Sequence, residues 1–309
     1  MAQTSDITVV IPLYNKAAEI ARALNSVLGQ SVLPREIIVV DDGSTDGGGA
    51  VVEGFASPLI RLIRQENRGV SVARNVGIEA AATKWVALLD GDDVWCADFL
   101  RTVAGLIEHY PDCGAYGTAF YIENGQERVA ADTPNEEGVV DFFAEAMQHY
   151  VLIPSAVVLR RDLVLRLGGF PEGMRLGEDQ YLWTKIARTS QVAFSPRCMV
   201  IYSREASNRS AAIYRAEQTR FSFEELYDDS QSELSNEYIA RVALGKALTE
   251  SVKGGTQAAA RAAKFFSYTR LSRRALLKVK VLNSMPRFMR PWLLAVYNWL
   301  AWKIAHKGL

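Results

Sequence analysis

The chain has 309 residues, of which 49% are hydrophobic, and its 35 Lys and Arg residues balance 35 Asp and Glu residues. This composition suffices for a buried core, and the length predicts one large domain, alone or with an extension. Its three cysteines are widely spaced and form no CxxC pair, which argues against a disulfide framework or a zinc site and favours a reducing, cytoplasmic setting. We find no signal-peptide pattern and no run of 18 apolar residues, so we expect neither secretion nor a membrane-spanning helix.

The charge is unevenly distributed along the chain. Residues 251–309 contain 12 Lys or Arg and no Asp or Glu, which leaves 23 basic against 35 acidic residues in the first 250. An acidic body followed by a basic tail predicts that the two parts have separate tasks.

Strand and helix patterns alternate over the first 122 residues. Short apolar runs, typical of strands buried on both faces, predict strands at Ile7–Pro12 and Glu36–Val40, and we predict a third and a fourth strand at Leu59–Ile63 and Trp85–Leu89. Apolar residues at helical spacing predict helices at Lys16–Gln30, Val70–Ala82 and Ala97–His109. This alternation predicts an α/β fold with a doubly wound, mostly parallel sheet and right-handed connections.

The regular alternation ends after residue 122. We predict further strands at Ser155–Leu159 and Val192–Phe194, with a helix at Asp179–Arg188 between them. Beyond about residue 205 the pattern is helical, and Asp228–Ser232 is the best candidate for a linker. We therefore expect a first domain over residues 1–210 and a helical, basic C-terminal region over residues 211–309.

Polar residues follow three of the predicted strands. They are the segments Pro12–Asn15, Asp41–Ser44 and Asp90–Asp93. Any one of them could be a helix cap, since Asp and Ser favour that position. Because ligands bind at the carboxyl ends of parallel strands, three such clusters together predict a binding pocket at that edge of the sheet.

The segment Asp90–Asp93 contains three carboxylates in four residues. Such a group suits a divalent cation with hard oxygen ligands, Mg²⁺ or Mn²⁺, and the alternative is a solvated acidic turn. Neither GxGxxG nor GxxxxGK[ST] follows a predicted strand, which argues against a dinucleotide oxidoreductase and a P-loop enzyme.

Together these segments resemble the family 2 glycosyltransferases of the A (GT-A) fold. The resemblance covers about residues 5–205, and the tail after residue 210 matches no pattern. Its motifs, in the family's order and spacing, are Val9–Asn15, Ile38–Asp46, Asn67–Gly69 leading into Ala73–Asn75, Leu88–Asp93 and Gly177–Asp179.

The resemblance implies an inverting transfer of sugar from a nucleotide-sugar donor, and a role for each matching residue. Pro12, Tyr14, Asn15 and Asp42 would line the base and ribose pocket. Asp90 and Gly91 would lie at the ribose or donor sugar, and Asp92 would bind Mn²⁺ or Mg²⁺ between the two phosphates. Arg68 and Arg74 would lie near the phosphates or the acidic cluster. Asp179 would be the general base, supported by Glu178, although a helix N-terminus also favours two acidic residues.

Two other functions remain open. A nucleotidyltransferase would also use metal-binding carboxylates on an α/β sheet, but it should show a Gly-rich, basic loop where this chain has Tyr14–Lys16. A non-catalytic sugar-nucleotide-binding protein could have lost Asp92 or Asp179, and both are present. A uracil nucleotide is the preferred donor, with guanine and thymine open; the sugar, the acceptor and the oligomeric state are not indicated.

Residues 286–307 form an apolar, aromatic segment with basic residues at both ends. The segment is too short to span a bilayer comfortably, but it suits a helix lying among lipid headgroups. We expect it to bind the inner face of the cytoplasmic membrane, where the acceptor would be a saccharide or lipid-linked; the alternative is a helix packed on the protein or in a dimer. No nucleic-acid recognition module is visible, so we expect no nucleic-acid partner.

Overall fold

The computed structural model describes residues 5–204, 219–253 and 255–292. The chain divides into two compact units. Of the described residues, the first unit contains 5–204 and 219–221, and the second contains those from 222 onward. Residues 293–307, most of the segment expected to bind a membrane, lie outside the described part of the chain.

A large mixed sheet forms the centre of the first unit. Within the described residues its strands are β1 (Ile7–Leu13), β2 (Glu36–Asp42), β3 (Ile60–Gln65), β4 (Trp85–Leu88), β5 (Val94–Trp95), β6 (Ala115–Asn124), β7 (Glu127–Ala130), β8 (Gly138–Val140), β9 (Val157–Arg160) and β10 (Val192–Ser203). The order is β3-β2-β1-β4-β9-β6-β10-β5, with β7 paired to β6 and β8 to β10.

The predicted fold class is confirmed. The neighbouring strands β3, β2, β1 and β4 run parallel, with Val9 opposite Ile37 in β2 and Ala87 in β4. Beyond β4 the sheet is mixed, because β9 runs antiparallel to both β4 and β6. The apolar runs of β1, β2 and β4 are buried on both faces, which explains why they lack polar alternation, whereas β3 is only partly buried and carries the exposed Arg61 and Arg64.

Helices cover the sheet of the first unit. They are α1 (Ile20–Leu28), α2 (Gly48–Glu53), α3 (Val70–Ala80), α4 (Phe99–His109), α5 (Phe142–Ala146), α6 (Arg161–Arg166) and α7 (Glu178–Thr189). Helix α1 buries Ile20, Leu24 and Val27 completely, as their helical spacing predicted. Helix α3 packs closely on β1, since a Cβ on Gly77 would lie 2.3 Å from Val10 Cγ1.

Strand β6 is the main element that the sequence analysis did not predict. It lies in the sheet between β9 and β10, and its first six residues are buried. Small residues interrupt its apolar run, and one of them, Gly117, is needed for packing because a Cβ there would lie 2.7 Å from the Val151 carbonyl oxygen. The strand is therefore specified by its neighbours rather than by local hydrophobicity.

The second unit is helical in its described part. Its helices are α8 (Glu233–Lys253), α9 (Thr256–Phe265) and α10 (Arg273–Ser284). The proposed linker Asp228–Ser232 lies inside this unit, where the Asn236 side chain of α8 donates to the Asp228 carbonyl at 2.8 Å. Among the described helices, none is both long and apolar enough to cross a bilayer.

Candidate active site

The strand order of the sheet reverses between β1 and β4. Strands β2 and β3 lie on one side of β1, and β4 lies on the other. Loops that diverge at such a point open a crevice at the carboxyl ends of the strands, where α/β proteins bind ligands. This rule places the candidate crevice between Pro12–Asn15 and Asp90–Asp93. The two loops pack together, since a Cβ on Gly91 would lie 3.4 Å from the Pro12 carbonyl oxygen.

Asn15 joins the loop after β1 to the loop after β2. Its Oδ1 accepts from the Thr45 backbone N–H at 2.8 Å, and its own N–H donates to Ser44 Oγ at 3.1 Å. Its φ of 51° is a conformation that Asn tolerates better than most residues. The neighbouring Tyr14 side chain is 42% exposed, so its ring reaches the surface at the mouth of the crevice.

Asp42 is buried and holds the loop that precedes α3. Its Oδ1 accepts from the Arg68 N–H at 2.9 Å and from the Gln65 side-chain amide at 2.7 Å, and its Oδ2 accepts from the Gly69 N–H at 2.8 Å. The carboxylate is 2% exposed, so these three bonds replace its hydration. Asp42 thus shapes this side of the crevice, whatever it contacts in a ligand.

The partly exposed carboxylates of the acidic cluster have different partners. Asp90 Oδ1 accepts from Arg74 Nη2 at 2.8 Å, whereas Asp92 Oδ2 lies 2.9 Å from Lys16 Nζ. Each aspartate therefore faces a cation of this chain, which reduces the repulsion between two carboxylates two residues apart. Lys16 was predicted only as the start of a helix; its position next to Asn15 gave no sign of this pairing.

The third carboxylate of the cluster, Asp93, is a buried structural group. It accepts from Ser155 Oγ at 2.5 Å and from the Ser203 N–H at 2.8 Å. Burial, together with the charges of Asp92 and Asp90, raises the pKa of Asp93 well above its ordinary value. Ser155, which sequence reasoning missed, also accepts from the Asp90 N–H at 3.1 Å and so positions the cluster.

Arg74 links the acidic cluster to the first turn of α7. Its guanidinium donates to Asp90 at 2.8 Å and to Glu178 Oε1 at 3.1 Å, and it lies 5.2 Å from the centre of the Phe170 ring. The side chain is only 3% exposed. Burial alone would lower its pKa, but Asp90 and Glu178 more than offset this effect and raise it. The guanidinium therefore stays charged between two carboxylates.

Glu178 and Asp179 begin α7 directly after Gly177. The φ of Gly177 is 82°, a left-handed conformation that favours glycine. Burial, then the charge of Asp179, raises the pKa of Glu178 to about 7, although Arg74 opposes the shift. Burial also raises the pKa of Asp179, against the hydrogen bond from the Gln180 N–H. Since a helix N-terminus favours ionised carboxylates, desolvation outweighs the helix dipole here. Such a carboxyl pair is suited to accept a proton near neutral pH.

Asn75, the neighbour of Arg74 on α3, holds the loop that leads toward α7. Its side chain donates to the Phe170 carbonyl at 2.9 Å and accepts from the Phe170 N–H at 2.8 Å. A Cβ on Gly169 would lie 2.5 Å from Asn75 Oδ1, so this contact requires glycine. The residue belongs to the motif Ala73–Asn75, but its partner 95 positions away could not be read from the sequence.

Arg68 is predicted near the phosphates, and its side chain is 58% exposed in the structure. Its guanidinium lies 3.6 Å from Glu172, which is similarly exposed. An ion pair this exposed contributes little to stability and can exchange its partner. Arg68 is therefore not part of the buried Arg74 network.

The described side chains do not by themselves form a complete metal site. No group of three His, Cys, Asp or Glu side chains able to hold a metal is found in the described part of the chain. Magnesium, however, needs only one or two protein carboxylates when phosphates and water complete its shell. Asp92 fits such an open site, because its side chain is 17% exposed and its carboxylate already binds a cation, the Lys16 ammonium group.

Comparison with known proteins identifies the family by sequence. The profile described as Glycosyl transferase family 2 matches residues 8–168, which is more than half of the chain. The chain is 43% identical over 111 residues to succinoglycan biosynthesis protein ExoO of Rhizobium meliloti, a match that covers 36% of this chain and 31% of ExoO. It is 35% identical over 185 residues to the uncharacterized glycosyltransferase EpsJ of Bacillus subtilis, covering 56% of this chain and 53% of EpsJ.

Solved structures resemble the chain in fold. Residues 1–349 of S. aureus TarS, in complex with UDP-GlcNAc, align with a TM-score of 0.65 at 19% identity, over 90% of each chain. The mannosyltransferase PcManGT from Pyrobaculum calidifontis, with GDP-Man and Mn²⁺, aligns with a TM-score of 0.56 at 18% identity, over 96% of this chain and 87% of that one. The chain covers about a third to a half of the lengths of ExoO and EpsJ. By its matched sequence profile and its fold, the chain belongs to glycosyl transferase family 2.

Proposed function

We propose that this glycosyltransferase moves a sugar, with inversion, from a nucleoside-diphosphate sugar to an acceptor hydroxyl, and that the donor is a UDP-sugar. The observation that carries the proposal is the Arg74 bridge, which brings the acidic cluster of the crevice together with the carboxyl pair of α7. An inverting displacement needs a donor phosphate site and a proton acceptor in one place. We assign residues 1–210 as the catalytic domain and residues 211–309 as a helical extension.

The crevice between β1 and β4 is the proposed donor site. Pro12, Tyr14 and Asn15 would line the base and ribose pocket, with Asp42 behind them. Asp90 and Gly91 would lie at the ribose or the donor sugar. Arg68, exposed and loosely paired, would reach the phosphates. Arg74 would act indirectly, by holding Asp90 in place.

Asp179 is the proposed general base. The attacking hydroxyl must lose a proton as the bond to the anomeric carbon forms, and burial raises the pKa of Asp179, which makes it a stronger base than an ordinary aspartate. Glu178 takes no proton from the acceptor in this scheme; paired with Arg74, it fixes the first turn of α7.

Asp92 is the proposed ligand of Mn²⁺ or Mg²⁺. When bound, the cation would offset the charge that develops on the diphosphate leaving group. Lys16, whose Nζ lies 2.9 Å from Asp92 Oδ2, would compete with the cation for this carboxylate or would help to hold a phosphate beside it.

The relatives support these assignments by analogy. TarS is seen with UDP-GlcNAc, and PcManGT with GDP-Man and Mn²⁺. ExoO is named for succinoglycan biosynthesis. We therefore propose a role in cell-envelope polysaccharide or glycolipid synthesis, with a saccharide or lipid-linked acceptor, at the inner face of the cytoplasmic membrane.

A donor panel tests the proposal. The thermal unfolding midpoint is measured with UDP-, GDP- and dTDP-sugars, each with and without Mn²⁺, because a ligand that binds only the folded state raises it. We expect a UDP-sugar with Mn²⁺ to raise the midpoint most, and Asp92→Asn to lose the Mn²⁺-dependent part. The proposal fails if no nucleotide sugar stabilises the protein under either condition.

A further inference from the structure

Helix α10 has two apolar faces, and one of them points outward. Leu276, Val279 and Leu282 are buried and fix the helix within the second unit. On the opposite side Leu277 is 63% exposed and Val281 is 43% exposed. These two residues are one helical turn apart and therefore adjacent on the surface. A stable soluble helix needs only the first of these faces.

Basic residues flank this outward apolar pair. At 100° per residue, Arg273 and Lys280 lie on one side of the line through Leu277 and Val281, and Arg274 lies on the other. All three cations are exposed, and none forms an ion pair with any described residue. Since residues 251–309 contain no Asp or Glu, nothing in this sequence segment neutralises them.

Exposed apolar side chains continue on both sides of the helix. Leu271, just before α10, is 62% exposed, and beyond it Phe288 and Trp292 are 82% and 63% exposed. Exposed apolar residues concentrated in one basic segment mark an interaction surface rather than ordinary surface scatter.

We propose that the outward face of α10 binds the surface of an anionic lipid bilayer. Leu277 and Val281 enter the boundary between headgroups and acyl chains, while Arg273, Arg274 and Lys280 contact lipid phosphates. The proposal rests on the membrane location given under the proposed function and makes it more specific. It places the contact on α10, which precedes the segment 286–307 in the chain.

Charge and hydrophobicity together select this partner. A second copy of the same face would bring arginine against arginine, because a two-fold contact pairs a surface with itself. Nucleic acid could neutralise the cations, but it offers no apolar layer for Leu277 and Val281. An anionic bilayer supplies both the negative charge and the apolar layer.

Vesicle sedimentation of the full chain tests the proposal. We expect binding to phosphatidylcholine vesicles that contain phosphatidylglycerol and little binding to phosphatidylcholine alone. Leu277→Ser should weaken binding about ten-fold. Arg273→Gln with Arg274→Gln should weaken it roughly five-fold per charge. Val129→Ser is the matched control, since Val129 is 60% exposed on β7, outside this face, and should leave binding unchanged.

Each opposing result overturns the proposal. Equal binding to both kinds of vesicle would contradict the proposed contact between the basic residues and lipid phosphates. Unchanged binding of the α10 variants would show that the membrane contact lies outside this helix face. A dimer that Leu277→Ser dissociates, or tight binding to duplex DNA without vesicle binding, would assign the face to another partner. All substituted side chains are exposed, so unfolding midpoints should match the wild type. The assay measures no sugar transfer, so its failure is separate from a failure of the proposed enzyme activity.

Discussion

Arg74 Nη1 donates to Glu178 Oε1 at 3.1 Å, although the two residues are 104 positions apart in the chain. The same guanidinium holds Asp90. Two carboxylates on separate segments therefore share one buried cation. Removing the cation would leave both carboxylates without their partner, and breaking buried pairs in this way is strongly destabilising. This shared cation fixes the acidic cluster and the first turn of α7 next to each other.

Replacing Asp179 by Asn should remove the general base and keep the fold. The expected fall in kcat is about 10²–10⁴-fold, with the unfolding midpoint at or above the wild-type value because a desolvated charge is lost. The measurement is sugar transfer at saturating donor, together with thermal unfolding. Donor affinity serves as the control and should not change. Wild-type turnover in this variant would rule out Asp179 as the base.

Glu178 should make stability fall as pH rises toward neutrality. Burial and the charge of Asp179 raise its pKa from an ordinary 4.5 to about 7 in the folded state. At this residue the folded protein binds more protons than the unfolded chain between these values, so the contribution of Glu178 to stability is greatest below the lower pKa and declines up to about pH 7. Glu178→Gln should flatten this decline in urea unfolding followed at several pH values. An unchanged slope in the variant would assign the pH dependence to other groups.

Lys16→Met should strengthen Mn²⁺ binding at the acidic cluster. The Lys16 ammonium, 2.9 Å from Asp92 Oδ2, would compete with the metal, and methionine keeps most of the side chain's length without its charge. Mn²⁺ titration followed by electron paramagnetic resonance, with UDP present, gives the affinity directly. Loss of affinity in Lys16→Met would show that the lysine helps to hold the diphosphate more than it competes with the metal. Asp92→Asn is the reference for a lost site.

Gly77→Ala should destabilise the protein, whereas Gly105→Ala should not. The new Cβ at residue 77 would lie 2.3 Å from Val10 Cγ1, and overpacking of this kind typically costs about 1–3 kcal/mol. Gly105 is also helical, but it has open space around its Cβ position, so alanine there should stabilise by about 0.5–1 kcal/mol.

Urea unfolding of both glycine variants tests the packing argument. Val10→Ala combined with Gly77→Ala should recover part of the loss, because the double variant removes the clashing methyl groups. Additive losses in the double variant would contradict a direct contact between these positions.

The sequence predicted the parallel half of the sheet well and the mixed half beyond β4 poorly. Strands β1, β2 and β4 have continuous apolar runs, such as that of Val9–Ile11, because both of their faces are buried. Strand β6 contains Gly117 and Thr118 and depends on contacts that only the folded chain provides. The local pattern of apolar residues therefore predicts strands that are buried along their whole length. It does not predict a strand such as β6, whose packing depends on distant segments of the chain.

The candidate site divides in the same way. The polar segments after β1, β2 and β4 could be placed at one edge because parallel strands align their carboxyl ends. The pairing of Asp92 with Lys16 and the support of Asp93 by Ser155 depend on side-chain positions. The roles assigned to Asp42 and Asp179 in ligand binding and catalysis stay predictions.

The adjacent residues Arg74 and Asn75 on α3 bind Glu178 and the Phe170 backbone. Helix α3 in turn rests directly on β1 through Gly77. A sequence change that displaced this helix would therefore move both the cation that binds Asp90 and the contact that holds the loop before α7. We therefore expect homologous enzymes that differ in acceptor choice to keep these contacts of α3. We expect them to diverge at peripheral segments such as the exposed hairpin strand β7.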